Sequence, residues 1–316
     1  MPIGTLTRRS AAAVAALASA ALVVSGCGGG SSGGGSGNGG GGNAAGSSSS
    51  ASLPSVSADQ ALAAQVPDSV KSDGTITVGT DSTYAPSEFV AEDGSTIIGF
   101  DVDLFTLVAE KLGLKAKFQT ADFGSIIAGV NSGKYEIGVS SFTINAEREG
   151  QANMISYYSA GTQWATKKGN PNKIDPDNAC GKKVAVQKNT VQVDDITARS
   201  KKCTDAGKPA ITIDQYTGQD QATASIVSGK DDAGLADSPV MAYAVKQTNG
   251  QLQLLGDVYD SAPYGYVVPK SDTQFADALA KAVKELIDDG SYRKVLEKWG
   301  VGAGAITDPT VNPAAG

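Results

Sequence analysis

Few side chains in this chain can do covalent or acid–base chemistry. Its 316 residues include no histidine, which removes Ser-His-Asp triads, histidine metal sites and imidazole proton transfer together. The three cysteines are Cys27, Cys180 and Cys203, and a reactive thiol would want a basic neighbour such as histidine. What remains is charge and hydroxyl chemistry, suited to holding a polar ligand. Two ten-residue stretches place such groups at matched positions. "SGKYEIGVSS" (132–141) and "SGKDDAGLAD" (228–237) share Ser, Gly, Lys and a later Gly, and both carry an acid at the fifth place. One ends in Ser141, the other in Asp237.

The elements that must position these residues run β-α-β-α-β, twice. "TITVGT" alternates β-branched residues and reads as a strand. "FDVDLFTLVAEKLG" has Val102, Phe105, Val108 and Leu112 at helical spacing, with Asp101 as N-cap and Gly113 as stop. "KAKFQT" is a strand, "GSIIAGVNSG" a helix closed by Gly133, and "YEIGVS" a third strand. The order recurs as "KKVAVQ", "TVQVDDITARS", "AITID", "QDQATASIVSG" closed by Gly229, and "DDAGLA". Ligands of parallel α/β sheets sit at the carboxyl ends of strands. Ser141 and Asp237 each lie just past such an end, so two facing lobes would turn both into one cleft. Beyond Asp237 come the helix "SPVMAYAVKQ", strands in "QLQLLG" and "APYGYVVPK", and two helices. The first of these sets Phe275, Leu279, Val283, Leu286 and Ile287 on one core-facing side.

The first 57 residues are of another kind. Arg8 and Arg9, the short apolar run Ala11–Val24 and "VSGC" read as an export signal (1–26) with a lipobox, Cys27 becoming the lipidated first residue. Residues 27–57 are rich in Gly and Ser and read as a flexible tether. The location implied is the outer face of the cell membrane. Without residues 1–26 the chain holds 24 basic and 33 acidic residues, net −9, which argues against nucleic acid as a partner. Cys180 and Cys203, an even pair in an exported chain, read most simply as a disulfide. About 255 remaining residues suit two lobes.

"VGTDSTYAP", "IIGFDVDLFTLVAEKLG", "SSFTINAERE", "GKKVAVQKNT", "ADSPVMAYAV", "APYGYVVPK" and "DGSYRKVLEKWG" resemble, in this order, solute-binding proteins of polar amino acid ABC transporters, over about residues 70–300. The resemblance implies two α/β lobes, 66–162 with 263–306 and 163–262, joined by crossover strands near Gly161 and Pro263 and closing by hinge motion. It implies a monomer without a cofactor that hands a basic or polar amino acid to a membrane permease. Arg148 would grip the ligand carboxylate through its guanidinium fork, helped by Thr143, a helix start near Asn145, Thr190, Val191 and Gln192. Asp237 would pair with the α-ammonium, with Ser141 opposite. Asp81 would meet a distal polar or positive group, with Tyr84 and Phe123 sandwiching a flat or cationic side chain, and the Ser140-Ser141 pair resembles members that take basic amino acids. Ser87, in place of an aromatic, and Val191, in place of a hydroxyl residue, depart from the pattern.

Plainer roles exist for the same residues. Arg148, between Glu147 and Glu149, reads as a solvated charge, and Asp237 as a helix N-cap. Asp81 reads as a turn acid, and Tyr84 and Phe123 as core. Two other functions stand beside transport. One is an enzyme on the same scaffold, such as a cyclohexadienyl dehydratase relative, with an acid such as Asp81 as its proton donor. The other is a sensory ectodomain, against which no membrane helix or signalling module follows residue 300.

Overall fold

The computed structural model describes residues 52–315; the expected export signal, Cys27 and most of the tether lie outside them. Two short helices, α1 (Gln60–Ala63) and α2 (Asp68–Lys71), lead into β1 (Thr75–Thr80). A small antiparallel ribbon follows, made of β2 (Thr83–Tyr84), β3 (Glu88–Val90) and β4 (Ile97–Ile98). Next come α3 (Phe100–Lys111), β5 (Lys115–Thr120), α4 (Ile126–Asn131) and β6 (Ile137–Thr143). After α5 (Ala146–Gln151) the long β7 (Asn153–Lys167) enters the second lobe. That lobe holds β8 (Lys183–Gln187), α6 (Val191–Asp205), β9 (Thr212–Tyr216), α7 (Gln219–Ser228), β10 (Ala233–Asp237) and α8 (Ser238–Gln247). β11 (Leu252–Val268) returns to the first lobe, which α9 (Thr273–Asp288) and α10 (Ser291–Trp299) complete.

Strand pairing gives the order β5-β1-β6-β11-β7-β10-β8-β9. β1 lies parallel between β5 and β6, and β8 lies parallel between β9 and β10. β7 and β11 run antiparallel between these halves. The last part of β11 pairs with β6, and the last part of β7 pairs with β10. Each lobe is thus finished by the end of a strand that began in the other.

The ten-residue echo has a structural cause. Gly133 and Gly229 sit at φ +75° and +82°, just past α4 and α7, a left-handed position that glycine takes at least cost. The acid at the fifth place does the same work twice. Glu136 accepts a hydrogen bond from the Thr77 amide on β1, and Asp232 accepts one from the Lys183 amide on β8. The later glycines, Gly138 and Gly234, let a helix press on the sheet. A Cβ there would stand 2.9 Å from Ile126 of α4 and 2.5 Å from Ile226 of α7.

Three local expectations are corrected. Asp101 is not the N-cap of α3; Gly99 is, while the Asp101 carboxylate turns inward to amide and hydroxyl donors that a surface cap would not reach. "QLQLLG" and "APYGYVVPK" are not separate strands but the two ends of β11. The chain between them stays alongside β7, bent at Gly256 and Asp260, which have positive φ, because Gly161 permits close approach; a Cβ there would lie 2.5 Å from the Tyr259 carbonyl oxygen. The ladder slips register around that point, between Leu255 and Tyr259 and again before Ala262. Finally, "GSIIAGVNSG" opens as a 3-10 turn, Phe123–Ser125, before α4 begins.

Each half-sheet is covered on both faces. The largest core joins α3, α9 and α10 to the first half, and the apolar stripe Phe275, Leu279, Val283 and Leu286 lies in it. Leu53 and Val56 pack against the same core, so the chain is docked slightly before residue 57, where the tether was expected to end. In the second lobe Cys180 and Cys203 form a disulfide with Cα atoms 5.6 Å apart, tying α6 to the turn before β8. On the chain-entropy account a loop of this size contributes about 3 kcal/mol.

Candidate functional site

All eleven residues singled out as ligand contacts line one cavity between the lobes, together with Gln187. The room it leaves for the centre of a water molecule is about 10 Å³. Asp81, Thr143, Gln187 and Asp237 come from strand ends or the residue just after one, and Thr190 follows β8, whereas Ser140 and Ser141 lie inside β6 and not past its end as expected. Strand ends are where parallel α/β sheets leave their backbone and side chains open to a crevice.

Arg148 is not a solvated charge. It is only 9% exposed, in α5, whose N-cap Asn145 accepts from the Arg148 amide at 2.9 Å. Its guanidinium donates to the Thr143 carbonyl at 2.8 Å and, across the cleft, to the Asn189 carbonyl at 3.1 Å. Phe123 and Phe142 stack at 4.7 Å and lie under it, 5.3 and 5.7 Å from the guanidinium carbon. Of five N–H groups, three have no other protein acceptor among the described residues. Burial lowers its pKa, and the Asp237 charge opposes that shift.

Asp237 stands at the N-cap position of α8, yet its side chain makes no capping bond. Its carboxylate instead accepts from Tyr84 Oη at 2.8 Å and Gln192 Nε2 at 2.9 Å. The first of these bonds crosses from one lobe to the other. Burial pushes this carboxyl upward, against the bonds from its neighbours and the charge of Arg148.

Asp81 is both a turn acid and a cavity wall. Oδ1 accepts from the Thr83 amide and hydroxyl, at 3.1 and 2.7 Å. Oδ2 accepts from the Phe123 amide at 3.2 Å and from Gln187 Nε2 at 2.7 Å. Burial raises its pKa as well, against the bonds from Thr83, Phe123 and Gln187. Gln187 was missed because a glutamine closing a strand looks like any other polar strand end; its equivalence to the end of β1 was the available signal. Thr190 occupies the N-cap of α6, but its hydroxyl donates to the Gln187 carbonyl at 2.8 Å. Tyr84 and Phe123 both face the cavity, but Tyr84 is committed to Asp237 and Phe123 to Arg148, so they do not form a plain sandwich.

Two lobes exchanging strands around a buried, charged crevice define a two-lobed binding protein. Residues 76–302 match the bacterial extracellular solute-binding proteins, family 3, and the chain belongs to that family. It is 38% identical over 252 residues to the arginine-binding protein ArgT of Corynebacterium glutamicum, covering 79% of this chain and 82% of that one. It is 27% identical to the L-cystine-binding protein TcyA of Bacillus subtilis, over 77% of this chain and 87% of that one. Among solved structures, an ancestral arginine-binding protein bound to arginine superposes with a TM-score of 0.66 at 34% identity, covering 72% of this chain and 98% of its own. No described helix is long and apolar enough to cross a membrane.

Proposed function

We propose that the protein captures a basic amino acid, arginine above all, between its lobes and delivers it to an ABC transporter permease. The observation that carries this reading is the charge of the cavity: two carboxylates, Asp81 and Asp237, face one guanidinium, Arg148. A zwitterion held by Arg148 and Asp237 leaves Asp81 without a cation, and a cationic side chain supplies it. The arginine-binding relatives at 38% and 34% identity support the same choice. An enzyme on this scaffold is less favoured, because each carboxylate already accepts from two or more fixed donors. That arrangement suits holding charge more than moving a proton.

A thermal-shift panel of arginine, lysine, ornithine, citrulline and glutamine tests the assignment. A ligand at about 100 times its Kd stabilises by about 2.7 kcal/mol, so arginine should raise Tm by several degrees and glutamine by less. No shift with any of the five would remove the amino acid reading.

Residues 1–26 act in this proposal as an export signal, and Cys27 carries a lipid that holds a monomer at the outer face of the membrane. Cys27→Ala should release the protein into the medium or leave the precursor uncut. Unchanged membrane fractionation of that variant would count against the anchor.

A further inference from the structure

Behind Ser140 and Ser141 lie two carboxyls, Glu88 and Asp101, both fully shielded from solvent and brought side by side where the Asp101 amide donates to the Ser87 carbonyl at 3.0 Å. Asp101 Oδ2 accepts from the Ser141 amide at 3.1 Å, the Ser141 hydroxyl at 3.2 Å and Tyr157 Oη at 2.6 Å. Glu88 Oε1 accepts from the Ser140 hydroxyl at 3.0 Å, and Ser140 Oγ in turn accepts from the Asp81 amide at 3.0 Å. The remaining oxygens, Glu88 Oε2 and Asp101 Oδ1, have no donor among the described residues.

Two ionised carboxylates do not share a dry contact without a cation. The titratable groups facing this pair are Asp81 after β1, Tyr84 of β2, Tyr157 and Tyr158 of β7, and Tyr266 of β11. None is a cation. One proton therefore lies between the two acids. Asp101 already serves three donors, as an anion does, so the proton belongs to Glu88.

We infer that Glu88 and Asp101 form a positioning pair, a neutral acid against a carboxylate, that makes Ser141 Oγ a hydrogen-bond acceptor toward the cavity. The inference rests on the reading of the cavity as an amino acid site. Ser141 sits at φ +50°, a left-handed conformation that costs a non-glycine residue energy and persists only where its surroundings impose it. Its amide and hydroxyl are both spent on Asp101. A serine hydroxyl has one proton, so only lone pairs are left to face a ligand. Lone pairs there welcome an ammonium and repel a carboxylate or carbonyl oxygen, which sets the orientation of a bound amino acid.

Burial, together with the Asp101 charge, pushes Glu88 well above the usual carboxylate range. An acid raised in the folded state contributes stability that is fully present below its unfolded pKa of about 4.3. That contribution is lost as pH rises toward the folded value. Asp81, Asp101 and Asp237 are also raised and add slopes of the same sign, so a comparison with Glu88→Gln reads the share of Glu88.

Wild type, Glu88→Gln and Glu88→Met are to be compared by arginine calorimetry and by Tm against pH without ligand. Gln can donate to Asp101 and accept from Ser140, as a protonated Glu does; Met fills the space but can do neither. Glu88→Gln should bind arginine within about threefold of wild type, and Glu88→Met at least about tenfold more weakly, a factor worth 1.4 kcal/mol. The fall in Tm between pH 4 and 8, roughly the window above the unfolded Glu pKa, should be smaller in Glu88→Gln. Equal binding by the Gln and Met variants would overturn the positioning role. An unchanged pH profile in Glu88→Gln would overturn the shared proton. If wild type binds no arginine, the amino acid reading is what fails, and the ligand-free pH profiles still decide the proton.

Discussion

Arg148→Ala is expected to abolish binding of every amino acid, whatever its side chain. Among the described residues the guanidinium is the only cation lining the cavity, and two carbonyls and two aromatic rings fix its plane. A carboxylate entering the cavity without it would be desolvated with no charge partner. Truncating one member of such a pair costs about 2–5 kcal/mol or more. Asp237 would also lose the charge that opposes its burial, so the ammonium end suffers too. Arg148→Lys keeps the charge without the two-pronged fork and should bind at an intermediate level. Calorimetry with arginine and with glutamine reads both variants. Wild-type affinity in Arg148→Ala would mean that the carboxylate binds elsewhere.

The same change should cost stability, which needs a separate measurement. The Thr143 and Asn189 carbonyls each lose a donor, and an unsatisfied buried polar group costs about 1–3 kcal/mol. The Asn189 bond also joins the lobes. The Tm of the ligand-free variant should therefore be recorded beside its affinity, so that loss of fold and loss of site are told apart.

Much of this geometry was legible from local pattern. β1 and β5 fall on the stretches expected, residue for residue: β1 alternates β-branched residues, and β5 follows closely on the helix stop at Gly113. The internal echo located Ser141 and Asp237, since a repeated helix-stop and strand carries the same edge to the same crevice. Arg148 was legible only through resemblance. Flanked by Glu147 and Glu149 it looks exposed, and its burial depends on Phe142 and on Asn189, 41 residues away.

What stayed hidden is what tertiary contact creates. Glu88 lies on a three-residue strand of a small ribbon, too short for any period to mark it. Asp101 sits in the first turn of a helix, where an acid is ordinarily explained by the helix dipole. Only the packed structure brings its carboxylate against Ser141, 40 positions later, and Tyr157, 56 positions later. The merging of two expected strands into β11 has a similar origin. Only the packed structure runs β7 beside Asp257 to Ser261, where Tyr259 pairs with Thr162 and carries the strand across the irregular stretch.

Asp81→Asn should separate ligands that Arg148→Ala treats alike. The cavity has one more carboxylate than a neutral zwitterion needs, and Asp81 is the one whose donors, Thr83, Phe123 N and Gln187, are all neutral. Asparagine is nearly the same size and can still accept from Thr83. Its amide would face the donors Phe123 N and Gln187 Nε2, but Gln187 can turn its own carbonyl oxygen to meet it. The fold should survive, and glutamine affinity should stay within about threefold of wild type, since no charged bond is lost. Arginine loses a charge-assisted hydrogen bond worth about 1.5–3 kcal/mol, which is about 10- to 150-fold in Kd. The pH dependence supplies a second readout. Because burial raises the Asp81 pKa, lowering the pH neutralises it earlier than an exposed aspartate, and a cationic ligand must then drive the proton off. Arginine affinity of the wild type should fall more steeply on acidification than glutamine affinity, and the Asn variant should lose that difference. Calorimetry with both ligands across the acid range measures it. If Asp81→Asn weakens arginine and glutamine equally, or if their pH profiles coincide in the wild type, Asp81 does not read the side-chain charge, while the carboxylate-gripping role of Arg148 stands untouched.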